Sequence, residues 1–81
     1  MELVDTIELM AHTDFESRFK AEYYQTKIRL DKLNAMIVKY EAGTLDFEPK
    51  TPLDLFKAQA THMQEYLHVL EVRAELEGIA L

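Results

Sequence analysis

One stretch constrains this chain more than any other. From Phe19 to Tyr40 the apolar and semi-apolar positions fall at Phe19, Tyr23, Thr26, Leu30, Leu33, Ile37 and Tyr40, in alternating steps of four and three. A period of 3.5 residues belongs to helices that lie side by side at a shallow angle. The run therefore predicts a long helix with one committed seam, and a second helix to fill it.

That second helix is legible further on. Leu53, Phe56, Ala60, Met63, Leu67, Leu70 and Ala74 repeat the same spacing. Between the two lies GTLDFEPKT, residues 43–51, the one real break in the chain. Gly43 supplies a left-handed residue to end the first helix. Thr51 is expected as N-cap of the second, with Pro52 at its first position and Asp54 at its third. At the start of the first helix, Thr13 and Glu16 have the spacing of a capping box. Leu45 and Phe47 alternate with polar neighbours and are expected to plug the end of the hairpin. Gly78 closes the second helix, leaving a short apolar tail.

The expected architecture is all-α: an antiparallel helical hairpin over residues 13–81, with helices at about 14–42 and 52–77, preceded by a short N-terminal helix or arm over 1–12. In that arm Leu3, Ile7 and Met10 form an apolar stripe too short to persist undocked. Met10 is also a possible alternative start.

The chain has 81 residues and no cysteine, so neither disulfides nor thiolate metal sites support the fold. A chain of this size buries only about 60% of its unfolded surface alone, and association is the remaining common source of stability. Two further apolar sets point the same way. Leu55, Tyr66, Val69, Val72 and Leu76 lie off the seam of the second helix, and Tyr24, Ile28, Met36 and Val38 off that of the first. A hairpin has one internal face, so these rows predict a homodimer forming a four-helix bundle, or a larger oligomer.

The net charge of −6 excludes double-stranded nucleic acid as a partner for the whole surface. It is unevenly distributed. Residues 21–43 carry four bases against three acids, whereas residues 44–81 carry three against seven. Only the middle of the chain welcomes an anion. There is no apolar run of the ~20 residues that cross a membrane. The acidic N-terminus also lacks the basic start of a secretion signal. A cytoplasmic protein with no membrane association is expected.

Glu65-x-x-His68 has half the signature of a di-iron bundle, but the seam turns both residues outward, so no metal is expected. His12 and His62 have no partner at catalytic spacing, and the two glycines cannot build a phosphate loop. Nothing assembles a nucleophile, a base and an oxyanion hole, so neither an enzyme nor a cofactor is expected. The better candidate is a cationic and aromatic cluster on the first helix. Lys20, Tyr24 and Lys27 share a face, and Arg29, Lys32, Met36 and Lys39 form a neighbouring strip. A tyrosine between lysines can stack on a base while the ammonium groups meet phosphates. Lys20, Tyr24, Lys27 and Arg29 are the candidate ligand-binding residues.

The run FESRFKAEYYQTKIRLDKLNAMIVKYEAGTLDF, followed by LFKAQATHMQEYLHVLEVRAELEGI, resembles a family of small phage and prophage helical-hairpin proteins. The resemblance covers residues 14–80. It is carried by Phe15 and Arg18, the Asp31-Lys32-Leu33 step, the EAGTLDF loop, and the later Gln59, Met63, Tyr66, Leu67, Leu70 and Arg73. The group is similar to phage anti-CBASS and anti-Thoeris sponges, oligomers that sequester cyclic nucleotide immune signals without cleaving them. The resemblance implies a ligand pocket between subunits, lined by a helix tyrosine and a lysine, roles that Tyr24 with Lys27 or Lys20 would fill. The alternative is a protein-binding inhibitor, with Glu65, Glu71, Glu75 and Glu77 of the acidic second helix meeting a basic surface on a host defence or replication protein.

Overall fold

The computed structural model describes residues 1–11 and 14–81, without the side chains of residues 9 and 10. His12 and the expected capping role of Thr13 lie outside the described residues, as does the side chain of Met10. Among the described residues three helices follow in order: α1 (Leu3–Ala11), α2 (Phe15–Ala42) and α3 (Leu53–Glu77). The molecule is 43 Å long and 17 Å across its thinnest direction. That length is what the 28 residues of α2 span at about 1.5 Å each.

α2 has no glycine or proline between its ends, and both ends are closed by local chemistry. Asp14 is the N-cap, its carboxylate accepting from the Ser17 backbone N–H at 2.9 Å. A carboxylate there satisfies an orphan donor and complements the positive end of the helix. At the other end Gly43 adopts φ 74°, which aims its N–H at the Tyr40 carbonyl (3.2 Å) and that of Thr44 at Lys39 (2.9 Å). This paired arrangement satisfies carbonyls that the helix leaves open. α3 starts differently from expectation: Pro52, not Thr51, is the N-cap, and no side chain among the described residues caps the helix. The Pro52 carbonyl receives the first N–H groups, from Leu55 and Phe56. Gly78, at φ 70°, closes α3 as Gly43 closes α2.

α2 and α3 run antiparallel. Lys57 meets Glu41 at 3.0 Å near the loop, while Arg73 lies 5.1 Å over the Phe19 ring at the opposite end. Between them the two seams interlock. Phe19, Tyr23 and Leu30 bury against Leu67, Leu70 and Ala74, with Ala60, Met63 and Ile79 at the margins. Leu70 is fully enclosed. The packing is uneven along the hairpin. Ile37 is still buried, but Leu45 is only half-buried and Phe47 is 56% exposed. The expected plug is instead an open cup of about 230 Å³, lined by Tyr40, Leu45, Phe47 and Pro49 among others.

α1 docks on its own α2 and, among the described residues, makes no approach to α3. α2 is thus the middle helix. The docked face differs from expectation: Ile7 is 63% exposed, whereas Thr6 is 1% exposed. Burial of a hydroxyl is tolerated when its hydrogen bonds are made. Thr6 Oγ1 donates to the Leu3 carbonyl at 2.7 Å and accepts from Gln25 Nε2 at 3.0 Å. Ala21, one turn before Gln25, is buried on the same side of α2. Of the two apolar sets expected off the seams, that of α2 is largely sheltered: Tyr24, Ile28 and Met36 are half-buried, and only Val38 stands out.

Truncating the enclosed residue and the exposed one should separate sharply in urea denaturation. Leu70→Ala is expected to cost about 3–5 kcal/mol, and Phe47→Ala less than about 1 kcal/mol.

Candidate functional site

The four candidate residues all sit on α2 but not together. Lys20, Tyr24 and Lys27 recur at four and three residues and share one face. Arg29 follows Lys20 by nine residues, about two and a half turns, which places it on the opposite side. Nor are the first three equivalent. Lys20 is paired with Glu16 at 3.3 Å. Tyr24 is half-buried against the core, edge-on to Tyr23 with ring centroids 5.1 Å apart, and its hydroxyl donates to the Leu81 carbonyl. Lys27 is exposed and has no ion-pair partner among the described residues.

Arg29 belongs to a groove of about 420 Å³ lined by Arg18, Ala21, Glu22, Gln25 and Thr26. Arg18 and Arg29 are eleven residues apart, so they project along one stripe about three turns from each other. Neither guanidinium has an ion-pair partner among the described residues. Glu22, the one carboxylate there, accepts from the Tyr66 hydroxyl of α3. The amide of Gln25 reaches Thr6 of α1, so one wall is tied to the N-terminal helix. Each guanidinium presents a planar fork that can receive an anion in bidentate fashion, with the Glu22 carboxylate on the lining between them. Sequence reading found Arg29 but not Arg18, Gln25 or Thr26 as its neighbours. The signal was present in the steps Arg18, Glu22, Gln25, Arg29, spaced four, three and four. A third depression, of about 510 Å³, gathers Lys32, Met36 and Lys39 against Asp46 and Phe47 of the loop.

Two tyrosine–carboxylate bonds tie the helix carrying these surfaces to α3, one in each direction. Tyr23 of α2 donates to Glu71 at 2.8 Å, and Tyr66 of α3 donates to Glu22. Burial, reinforced by the bond to Glu71, pushes the Tyr23 hydroxyl up to about 12. The bond to Glu22, then burial, also raises Tyr66. These contacts bear on the acidic face of α3. Glu71 is bound to Tyr23, Glu77 pairs with Arg73 at 3.4 Å, and Glu65 lies 3.9 Å from His62. Of the four acids proposed to meet a basic partner, only Glu75 is uncommitted among the described residues. Among those residues, no three His, Asp or Glu side chains converge as a metal site would require. No helix among them is long and apolar enough to cross a membrane.

The model of the Sequestin family matches residues 13–76, which span all of α2 and all but the last residue of α3. The chain belongs to the Sequestin family. The name points to sequestration of a ligand. The match includes Arg18, Lys20, Tyr24, Lys27 and Arg29, and it stops short of α1. It overlies most of the 14–80 stretch whose motifs resemble the phage hairpin proteins. Comparisons with curated proteins and with solved structures give no match.

The Tyr23 bond gives an alkaline signature for this member of the Sequestin family. Its hydroxyl ionises near 10 in the unfolded chain and near 12 in the fold. Its contribution is therefore complete below pH 10 and lost as pH rises from about 10 through about 12. The difference amounts to about 3 kcal/mol. Tyr23→Phe should flatten that part of the stability profile in urea titrations between pH 8.5 and 11.5, and cost about 1–2 kcal/mol at neutral pH.

Proposed function

We propose that this protein is a phage-encoded counter-defence sponge that holds a cyclic nucleotide immune signal without cleaving it, at boundaries between copies in a homo-oligomeric helical bundle. The observation that carries the reading is the family match, which runs across α2 and α3 and takes in every basic side chain of the candidate surfaces up to Lys39. The geometry supports an anionic ligand. Arg18 and Arg29 flank a groove on one side of α2, and Lys27 stands exposed on the other beside Lys20 and Tyr24. A single copy presents these as two separate faces. An oligomer sets the face of one copy against that of another, so a flat, multiply charged ligand can meet both. In this reading the protein acts in the host cytoplasm by stoichiometric capture, with no catalytic step and no cofactor.

A ligand that binds only the folded protein raises its melting temperature by mass action. At one hundred times Kd the gain is about 2.7 kcal/mol, or about 10–20 °C for a domain of this size. Such a rise is expected with a cyclic dinucleotide, a cyclic trinucleotide or an ADP-ribose derivative. Ligand released by heat should have its mass unchanged. Lys27→Ala and Arg29→Ala should each remove the rise while leaving sedimentation unaltered. Absence of any rise across the three classes would exclude the reading.

A further inference from the structure

The outer face of α3 carries a second complete heptad row, and we propose that it is the surface on which two copies of this chain pair, antiparallel, with His62 of each copy against the partner's Glu65. The inference rests on the reading that copies associate and supplies the contact it leaves open. It does not depend on a ligand.

The exposed apolar residues Leu55, Val69, Val72 and Leu76 are 60%, 52%, 46% and 81% accessible. Half-buried Ala58 and the exposed residues His62 and Glu65 fill the gaps between them, so the row steps by three and four without interruption from 55 to 76. Tyr66, although apolar in part and nearby, stands outside it and is bound to Glu22 of α2. A heptad row of this length is a helix-pairing surface rather than scattered exposure.

Its centre says what covers it. His62 and Glu65 lie 3.9 Å apart within one copy, with side chains 79% and 71% exposed. A parallel pair would set Glu65 against the partner's Glu65 and His62 against the partner's His62, like opposite like. An antiparallel pair sets residues against each other whose numbers add to a constant. One register sets Leu55 against the partner's Val72, Ala58 against the partner's Val69, and His62 against the partner's Glu65, each contact occurring twice by the two-fold axis. A slip of one heptad in either direction faces Glu65 with the partner's Val69 or the partner's Leu55, leaving a carboxylate without a partner in an apolar layer. The row is self-complementary in charge in one arrangement only. A polar pair at one level of an apolar seam fixes register in this way.

The chain has no cysteine, which makes cross-linking decisive. Residues 55 and 72 are about 25 Å apart along one helix, well beyond the ~7 Å between Cα atoms that a disulfide can bridge. L55C/V72C is therefore expected to give a covalent dimer under mild oxidation, while L55C alone and V69C alone stay uncoupled. Glu65→Lys should weaken association about tenfold or more, and H62E/E65K should restore it. All these side chains are exposed, and circular dichroism verifies that each variant is helical. Coupling of V69C to itself would establish a parallel pair and overturn the proposal. Failure of L55C/V72C to couple in protein that still sediments as an oligomer would also overturn it, leaving the oligomer reading standing on another face. Sedimentation as single copies at all micromolar concentrations would overturn both. Absence of any ligand-induced rise in melting temperature leaves this pairing unaffected, so the two readings fail separately.

Discussion

The burial of α2's seam against α3 is the contact on which the remaining structure depends. Phe19, Tyr23 and Leu30 close over Leu67, Leu70 and Ala74, and no disulfide is present to substitute for that contact. The seam sets the rotation of α2, and the rotation determines what each remaining stripe faces. With α3 on one side, Ala21 and Gln25 are turned to receive α1. Arg18 and Arg29 are turned into a groove, and Lys20, Tyr24 and Lys27 lie along the opposite edge. A one-residue change in the register of the apolar steps would rotate every one of these faces by about 100°.

Much of this was readable because the 3.5-residue period is a strong and redundant signal. The two long helices and the core between them, from Phe19 to Leu30 and Leu67 to Ala74, follow from it, and the glycines that end the helices are separate local signals. What the sequence did not resolve has physical causes. Asp14 and Thr13 are both competent N-caps, and the choice turns on where the first helical turn sits. Phe47 is as apolar as Phe19, but only the three-dimensional path of the loop decides whether it is enclosed. Thr6 is the clearest case. A hydroxyl reads as an outward residue until Gln25, nineteen positions later, is seen to satisfy it.

The candidate site was legible in kind and not in arrangement. Positive charge concentrated on α2 is a property of composition, and it directs attention to that helix. Arg29 lies half a turn from Lys20 in azimuth, and the other guanidinium lining its groove, Arg18, sits eleven residues earlier. The Tyr24 hydroxyl is committed to the tail carbonyl, a contact between residues 24 and 81 that no local pattern encodes. The Sequestin match then supplies what geometry alone does not: a reason to read the basic stripes as receptive to a ligand rather than as solvated surface.

α3 is read on two sides at once, by the core and by its outer row, and the bonds from Glu71 and Tyr66 consume part of the space between. Gln64, His68 and Glu75 fall on one remaining stripe and take part in no bond among the described residues. Few surfaces on this helix are left to vary. A fluorophore or a solubilising charge introduced along that narrow strip would leave packing on either side untouched, so the tolerance of this helix to change is anisotropic, and its quiet meridian can be named in advance.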